Sequence, residues 1–282
     1  MNKLLISFSG GKTSAFMTDW LLKNKQDEYE MKIVFANTGL EHEKTLEFVR
    51  RCQDFFGHEI IWVEAITNPV MGKGVGAKVV TFETASRNGE PFDQSNAKHG
   101  LPNRTAPKCT RELKARAIMA YLRSIGWKKY YTAIGIRSDE LDRVNVNWRA
   151  HRYIYPLASH LWGWPTTKAQ VNEFWKHQPF NLEIREHEGN CNCCWKKSLK
   201  KLLTIAKENP SAFDWWADQE KKYENYIPVS RQHNPNIKLP VRMFRENRSV
   251  ADILEMSKQP FETFVDENFE APNGCEETCE AF

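Results

Sequence analysis

The feature that most constrains this chain is its opening, a short apolar strand that runs at once into a glycine loop and then a helix. Leu4, Leu5 and Ile6 are followed by Ser7-Phe8-Ser9-Gly10-Gly11-Lys12-Thr13-Ser14, and then by Ala15 to Leu22 with Phe16, Met17 and Trp20 on one face. Glycines let backbone amides approach a phosphate closely, hydroxyls add donors, and the following helix contributes its positive N-terminal end. The loop lacks the four-residue spacing of a Walker A motif. A second strand is expected over 32–36, ending in Asn37-Thr38-Gly39. A helix over about 41–56 and a third strand over 59–63 follow. Strands alternating with helices of this length predict an α/β fold with a Rossmann-like parallel sheet and ligands at the strand carboxyl ends.

Beyond residue 66 the rhythm breaks. Residues 67–106 are rich in Gly, Asn and Lys and read as a lid or excursion, after which a helix over 110–125 and a strand over 130–136 restore it. Residues 148–207 read as mostly helical. The expected organisation is a phosphate-binding core over 1–160, a helical region with the CxxC over 161–225, and a connector with a cysteine-bearing tail over 226–282. The chain's 282 residues, 41% apolar, suffice for such a core, and the ten Trp read as bulky packing. No stretch approaches the roughly 18 apolar residues that span a bilayer, and the N-terminal apolar run is too short for a secretory signal. A cytoplasmic, reducing location is therefore expected. Seven cysteines in such a place point to metal or redox chemistry rather than a disulfide framework.

Three sets of residues carry chemistry. The first is the loop: Ser7, Ser9, Gly10, Gly11, Lys12, Thr13 and Ser14 are candidate phosphate contacts. The second follows the fourth strand, where Gly135 precedes Arg137-Ser138-Asp139-Glu140. Arg137 there is placed to hold phosphate or sulfate, and Asp139 or Glu140 to hold Mg2+ or accept a ribose hydroxyl. The third is Cys191-Asn192-Cys193-Cys194, whose CxxC spacing directs two thiolates at one metal, with Cys109 at a helix start further upstream. Cys52, on the apolar face of a helix, reads as core. A basic run of Lys196, Lys197, Lys200 and Lys201, with Arg104, Lys108, Arg111, Lys114 and Arg116, outlines a track for a nucleic-acid backbone, tRNA or DNA. The net charge of +4 is compatible with that partner without demanding it.

SFSGGKTS resembles the SGGKDS-type PP-loop of ATP pyrophosphatases. Downstream segments resemble the phosphoadenosine phosphosulfate reductase family of the adenine nucleotide alpha hydrolase class, in that family's order. They are Asn37-Thr38-Gly39-Leu40-Glu41, Cys109-Thr110-Arg111-Glu112-Leu113-Lys114, Gly135-Ile136-Arg137-Ser138-Asp139-Glu140, Tyr155-Pro156-Leu157 and Gly189-Asn190-Cys191. The likeness covers roughly residues 4–220 and is strongest to members carried by bacteriophages. It implies an adenine nucleotide, ATP with Mg2+, bound by the loop and by Asn37, Thr38, Gly39 and Gly135, with Lys12, Arg137 and Asp139 as the catalytic set.

The cysteine spacing is similar to the set that holds a [4Fe-4S] cluster in adenylylsulfate reductases, with Zn2+ as the alternative. Cys109, Cys191 and Cys194 are the expected ligands, and Cys279 the fourth, with Cys193 and Cys275 the other choices. The Glu-Cys-Gly-Leu-His motif of sulfate-reducing members is absent, and the tail reads Gly274-Cys275-Glu276-Glu277-Thr278-Cys279-Glu280. The expected activity is therefore ATP cleavage between the α- and β-phosphates with adenylylation, serving sulfur transfer to a nucleic acid or nucleotide. Reduction of an adenylyl-sulfate compound, and nucleotide binding without catalysis, are the rival expectations. A homodimer is compatible with all three.

Overall fold

The computed structural model describes residues 1–263. The run of apolar residues near the N-terminus forms β1 (Asn2–Phe8), and the glycine loop leads into α1 (Lys12–Asn24). Then come β2 (Tyr29–Asn37), α2 (Glu43–Phe56) and β3 (Ile60–Thr67). β1, β2 and β3 are parallel neighbours in register, with Phe8 opposite Phe35 and Phe35 opposite Trp62. The residues of β1 alternate between two cores: Leu4, Ile6 and Phe8 pack on one face of the sheet, and Leu5 on the other. A strand covered on both faces has to be apolar at consecutive positions, which explains the uninterrupted Leu4-Leu5-Ile6.

Residues 67–106 contribute β4 (Val75–Val80), α3 (Glu90–His99) and connecting turns. β4 closes the sheet edge antiparallel to β3, and Phe92 of α3 is buried in the core. The edge strand is hard to see in sequence because its inner residues, Gly76, Ala77, Lys78 and Val79, are partly or fully exposed. A π-helical turn (Thr110–Ala115) runs into α4 (Arg116–Ser124), and β5 (Tyr131–Ala133) returns to pair with β1 on its far side. After α5 (Trp148–His151), β6 (Tyr153–Ile154) adds the last strand. The sheet order is β4-β3-β2-β1-β5-β6, so the connections reverse direction between β1 and β5. In open α/β sheets such a reversal leaves a crevice outside the strand carboxyl ends, where ligands bind.

The stretch 148–207 is less helical than its composition suggests. Helix is confined to α5, α6 (Lys168–Lys176) and α7 (Leu199–Glu208), and the chain between them is largely irregular. Pro156, Pro165 and Pro179 explain much of this, because each removes an amide donor and disfavours helix in the residue before it. α6 is fixed by a capping box of Thr167 and Gln170, and by Trp175, which is fully buried against Phe48 and Phe180. α8 (Asp214–Tyr223) and α9 (Val250–Met256) complete the described chain. The buried Glu220 ties them together by accepting from the backbone amides of Met243 and Val250.

Candidate functional site

The glycine loop sits at the carboxyl end of β1, at the point where the sheet order reverses. Gly10 has φ of +80°, and a Cβ there would lie 2.8 Å from Thr45 Cγ2. Only glycine makes this turn without strain. Ser14 fastens the loop from within. Its hydroxyl donates to Gly11 O at 2.9 Å and receives bonds from the Ser9 amide and hydroxyl at 3.2 and 2.9 Å. Gly11 is the N-cap of α1 and supplies no side-chain cap, so the first amides of α1 have no side chain of their own cap residue to satisfy them. Ser7, Ser9, Thr13 and Ser14 are all buried.

Lys12 opens α1; its carbonyl accepts from Trp175 Nε1 at 2.9 Å, while its ammonium makes no hydrogen bond or ion pair among the described residues. Burial, and then repulsion from Lys168, hold its ammonium below the ordinary lysine range. Across the crevice Arg137, 5% exposed, donates from Nη1 to Thr13 Oγ1 at 3.2 Å and from Nε to Asp139 Oδ1 at 2.9 Å. The second oxygen of Asp139 accepts the Lys168 amide at 3.0 Å. Burial raises the Asp139 carboxyl, but the Lys168 amide and the Arg137 guanidinium outweigh it, and the group titrates below the usual range. Glu140 lies 3.4 Å from Arg137 Nη1 and also pairs with Arg143. Both carboxylates are thus spoken for by cations or amides, and what they do in the structure is orient Arg137.

Asn37, at the end of β2, donates to Glu64 Oε1 at 2.7 Å and to Ser86 O at 2.9 Å. The Thr38 amide and hydroxyl both donate to Glu41, at 2.8 Å each. Gly39, with φ of +83°, packs against the backbone of Gly89. Gly135 lies in the buried stretch between β5 and Arg137.

The cysteine loop is brought to this crevice by backbone pairing. Glu41 bridges Cys191, the His42 amide donates to Asn190 O at 2.9 Å, and the Asn192 amide to Leu40 O at 3.0 Å. The Asn190 side chain reaches the glycine loop, with Nδ2 3.4 Å from Ser9 O. Cys109, Cys191 and Cys194 all line one cavity beside it, together with Thr38, Lys114 and Trp216. Burial, then the neighbouring Cys194 and Glu41, push the Cys191 thiol well up, against the pull of Lys114 and Lys197.

Cys193 is not part of this cavity. It is fully buried with φ of 50°, its Sγ donates to Ala212 O, and burial pushes its thiol up to about 12. Cys52 is buried in the core, and burial drives its thiol far up. Cys275 and Cys279 lie outside the described residues. Among the described residues no three His, Cys, Asp or Glu side chains converge in a metal-holding arrangement.

The basic run is exposed only in part: Arg104, Arg111, Arg116 and Lys200 reach solvent, but four of its lysines do not. Lys108, Lys114, Lys197 and Lys201 are buried at 6, 7, 1 and 3% exposure. Lys197 donates to Cys191 O at 3.0 Å, Lys201 bonds Glu186, and Lys108 bonds Ser95 O and Gly100 O. These lysines are internal struts, and Lys114 and Lys197 bring positive charge to the thiols. Ser198, which caps α7 through the Lys201 amide, was the available clue. It fixes the start of the helix and places Lys201 on the same face as Leu202 and Ile205. Glu41 and Asn190 also entered the sequence only as motif letters, and their joining role depends on pairing distant in the chain.

A Rossmann-like parallel sheet with a glycine loop at its reversal point defines an α/β protein of the adenine nucleotide alpha hydrolase type. The chain belongs to the phosphoadenosine phosphosulfate reductase domain family, whose model matches residues 3–145. It is similar to an uncharacterized nin region protein of Escherichia phage lambda, 29% identical over 289 residues that cover 99% of this chain and 94% of that one. Two uncharacterized proteins of Methanocaldococcus jannaschii are 21% and 23% identical over 78% and 77% of this chain. The matches span only 42% and 47% of their own lengths. No solved structure matches the chain. Membership brings a PP-loop, nucleotide-using framework, and no described helix is long and apolar enough to cross a membrane.

Proposed function

We propose that the chain is an ATP-dependent adenylylating enzyme. The observation that carries this reading is Lys12, a half-buried ammonium with no anionic partner among the described residues, set at a helix start beside two glycines at the end of β1. Such a cation is matched by a phosphate, which restores the charge balance that the protein leaves open. In this reading the amides around Gly10 and Gly11, the Ser9 and Thr13 hydroxyls and Lys12 hold the phosphates. Asn37, Thr38, Gly39 and Gly135 border the nucleoside.

An acceptor oxygen attacks the α-phosphorus, the bond to the β-phosphate breaks, and pyrophosphate leaves. Arg137, oriented by Asp139 and Glu140, stabilises the charge that grows on the transferring group. Mg2+ would accompany the phosphates as part of the substrate. Calorimetric titration with Mg-ATP is the direct test. Lys12→Ala is expected to weaken binding by about 1.5–3 kcal/mol, as loss of a charge-assisted contact does. Unchanged affinity in that variant would remove the assignment.

The cysteine cavity supplies the second half of the proposal, sulfur transfer to the activated acceptor. Cys191 and Cys194 are near enough to interact electrostatically, and Cys109 lines the same cavity. The buried indole Nε1 groups of Trp195 and Trp216, residues which also line it, have no hydrogen-bond partner among the described residues. Two such donors beside three thiols that line one cavity suit an acceptor-rich, thiolate-ligated [4Fe-4S] cluster; Zn2+, which the thiolates alone would hold, is the alternative. Cys109, Cys191 and Cys194 would hold it, with Cys279 as the proposed fourth ligand. A bound cluster would supply an iron able to carry the sulfide to be transferred. Lys114 and Lys197 would favour the thiolate forms and Asn190 would register the loop against the phosphates.

A further inference from the structure

With Lys108, Lys114, Lys197 and Lys201 turned inward, the molecule's uncompensated positive charge lies elsewhere. A groove of about 400 Å3 runs between the 103–105 turn and the 236–247 segment. Arg104, Lys238 and Arg245 line it, and Arg231 stands at its edge on Thr105.

None of these four cations has a carboxylate partner among the described residues. Arg104 and Lys238 are exposed and make no hydrogen bond or ion pair there. Arg231 donates to His99 O and Thr105 Oγ1, both at 3.3 Å, and Arg245 to Lys196 O at 2.8 Å, all neutral oxygens. The nearby acids are already engaged, Glu224 by Arg242 and Glu246 by Arg248. Four like charges around one groove repel one another unless an anion joins them. The net charge of the chain has the same sign, +4. The groove's one aromatic, Phe244, is 4% exposed, so the groove offers charge without a stacking platform.

We propose that this groove binds the phosphodiester backbone of a duplex or folded nucleic acid, through Arg104, Arg231, Lys238 and Arg245. The proposal names the acceptor class for the activation chemistry above and rests on that reading. The groove is also joined to the cysteine cavity, because the Lys196 carbonyl that holds Arg245 belongs to a residue lining that cavity.

Fluorescence anisotropy with the full chain and a labelled short DNA duplex, an RNA hairpin and an unstructured single strand tests this. Four phosphate contacts predict a log–log salt slope of about −3 to −4 for the duplex or hairpin. Arg104→Glu with Lys238→Glu should weaken binding tenfold or more and lower that slope by about two. Both positions are exposed, so an unchanged melting temperature is expected, and the milder R104Q/K238Q pair should shift affinity in the same direction. Absence of binding at low salt, equal binding by the double variant, or a clear preference for the single strand would overturn the proposal. ATP titration of the same variant separates the two readings. Intact ATP affinity with lost duplex binding locates the groove, whereas unchanged ATP affinity in Lys12→Ala with duplex binding kept would strike only the nucleotide assignment.

Discussion

Lys12 and Gly10 play different parts in one loop, and substitutions should separate them. Because Lys12 titrates low, its charge is lost as pH rises through a value below that of an ordinary lysine. Affinity for ATP is expected to fall over that alkaline window, and Lys12→Arg, which stays charged, should remove the fall. Titrations across the range read this directly. Gly10→Ala acts sterically. An alanine at φ of +80° costs about 1–3 kcal/mol, to which the 2.8 Å approach of Thr45 Cγ2 adds. Chemical denaturation should show that loss whether or not nucleotide is present. At Asp139, Asn keeps the shape and drops the charge. Asp139→Asn should leave ATP affinity within about twofold while slowing pyrophosphate release, because it loosens Arg137 rather than a phosphate contact.

At the scale of elements, β1 to β3, the glycine loop, α1, α2 and α4 were legible in the sequence because each carries its own apolar period or its own turn residues. β4 was not, since an edge strand with one exposed face and a central Gly-Ala-Lys has little apolar signal. α7 shows the opposite difficulty. The lysines at and just before its start look like surface residues one at a time, yet Lys197 and Lys201 are buried beside the cysteine loop while Lys200 is exposed. Lysine stems pack as hydrocarbon, and their charges are taken up by a carbonyl and a carboxylate. Lys197→Glu is accordingly expected to cost about 3 kcal/mol or more in unfolding experiments, as inserting an unpaired buried charge does. Lys200→Glu should stay within about 0.5 kcal/mol.

Across the whole molecule the site is assembled from chain segments far apart, which is why only its parts could be read in advance. Loop residues 7–14 carry their chemistry locally, but the joining of Glu41 to Cys191 and of Asn190 to Ser9 depends on the finished fold. Anaerobic metal analysis of the intact chain tests the cysteine assignment: Cys191→Ser and Cys194→Ser should lose iron or zinc, and Cys52→Ser should keep it. Stoichiometric metal in all three variants would refute the ligand set. The crossing of residues 190–192 over the end of β2 has a further thermodynamic consequence. One short ribbon borders the phosphate loop on one side and the thiol cavity on the other, so a guest in either place selects among the same few conformations of that ribbon. Any gain that occupation of the cavity brought to ATP affinity would have to be returned in equal measure by ATP to the cavity's guest.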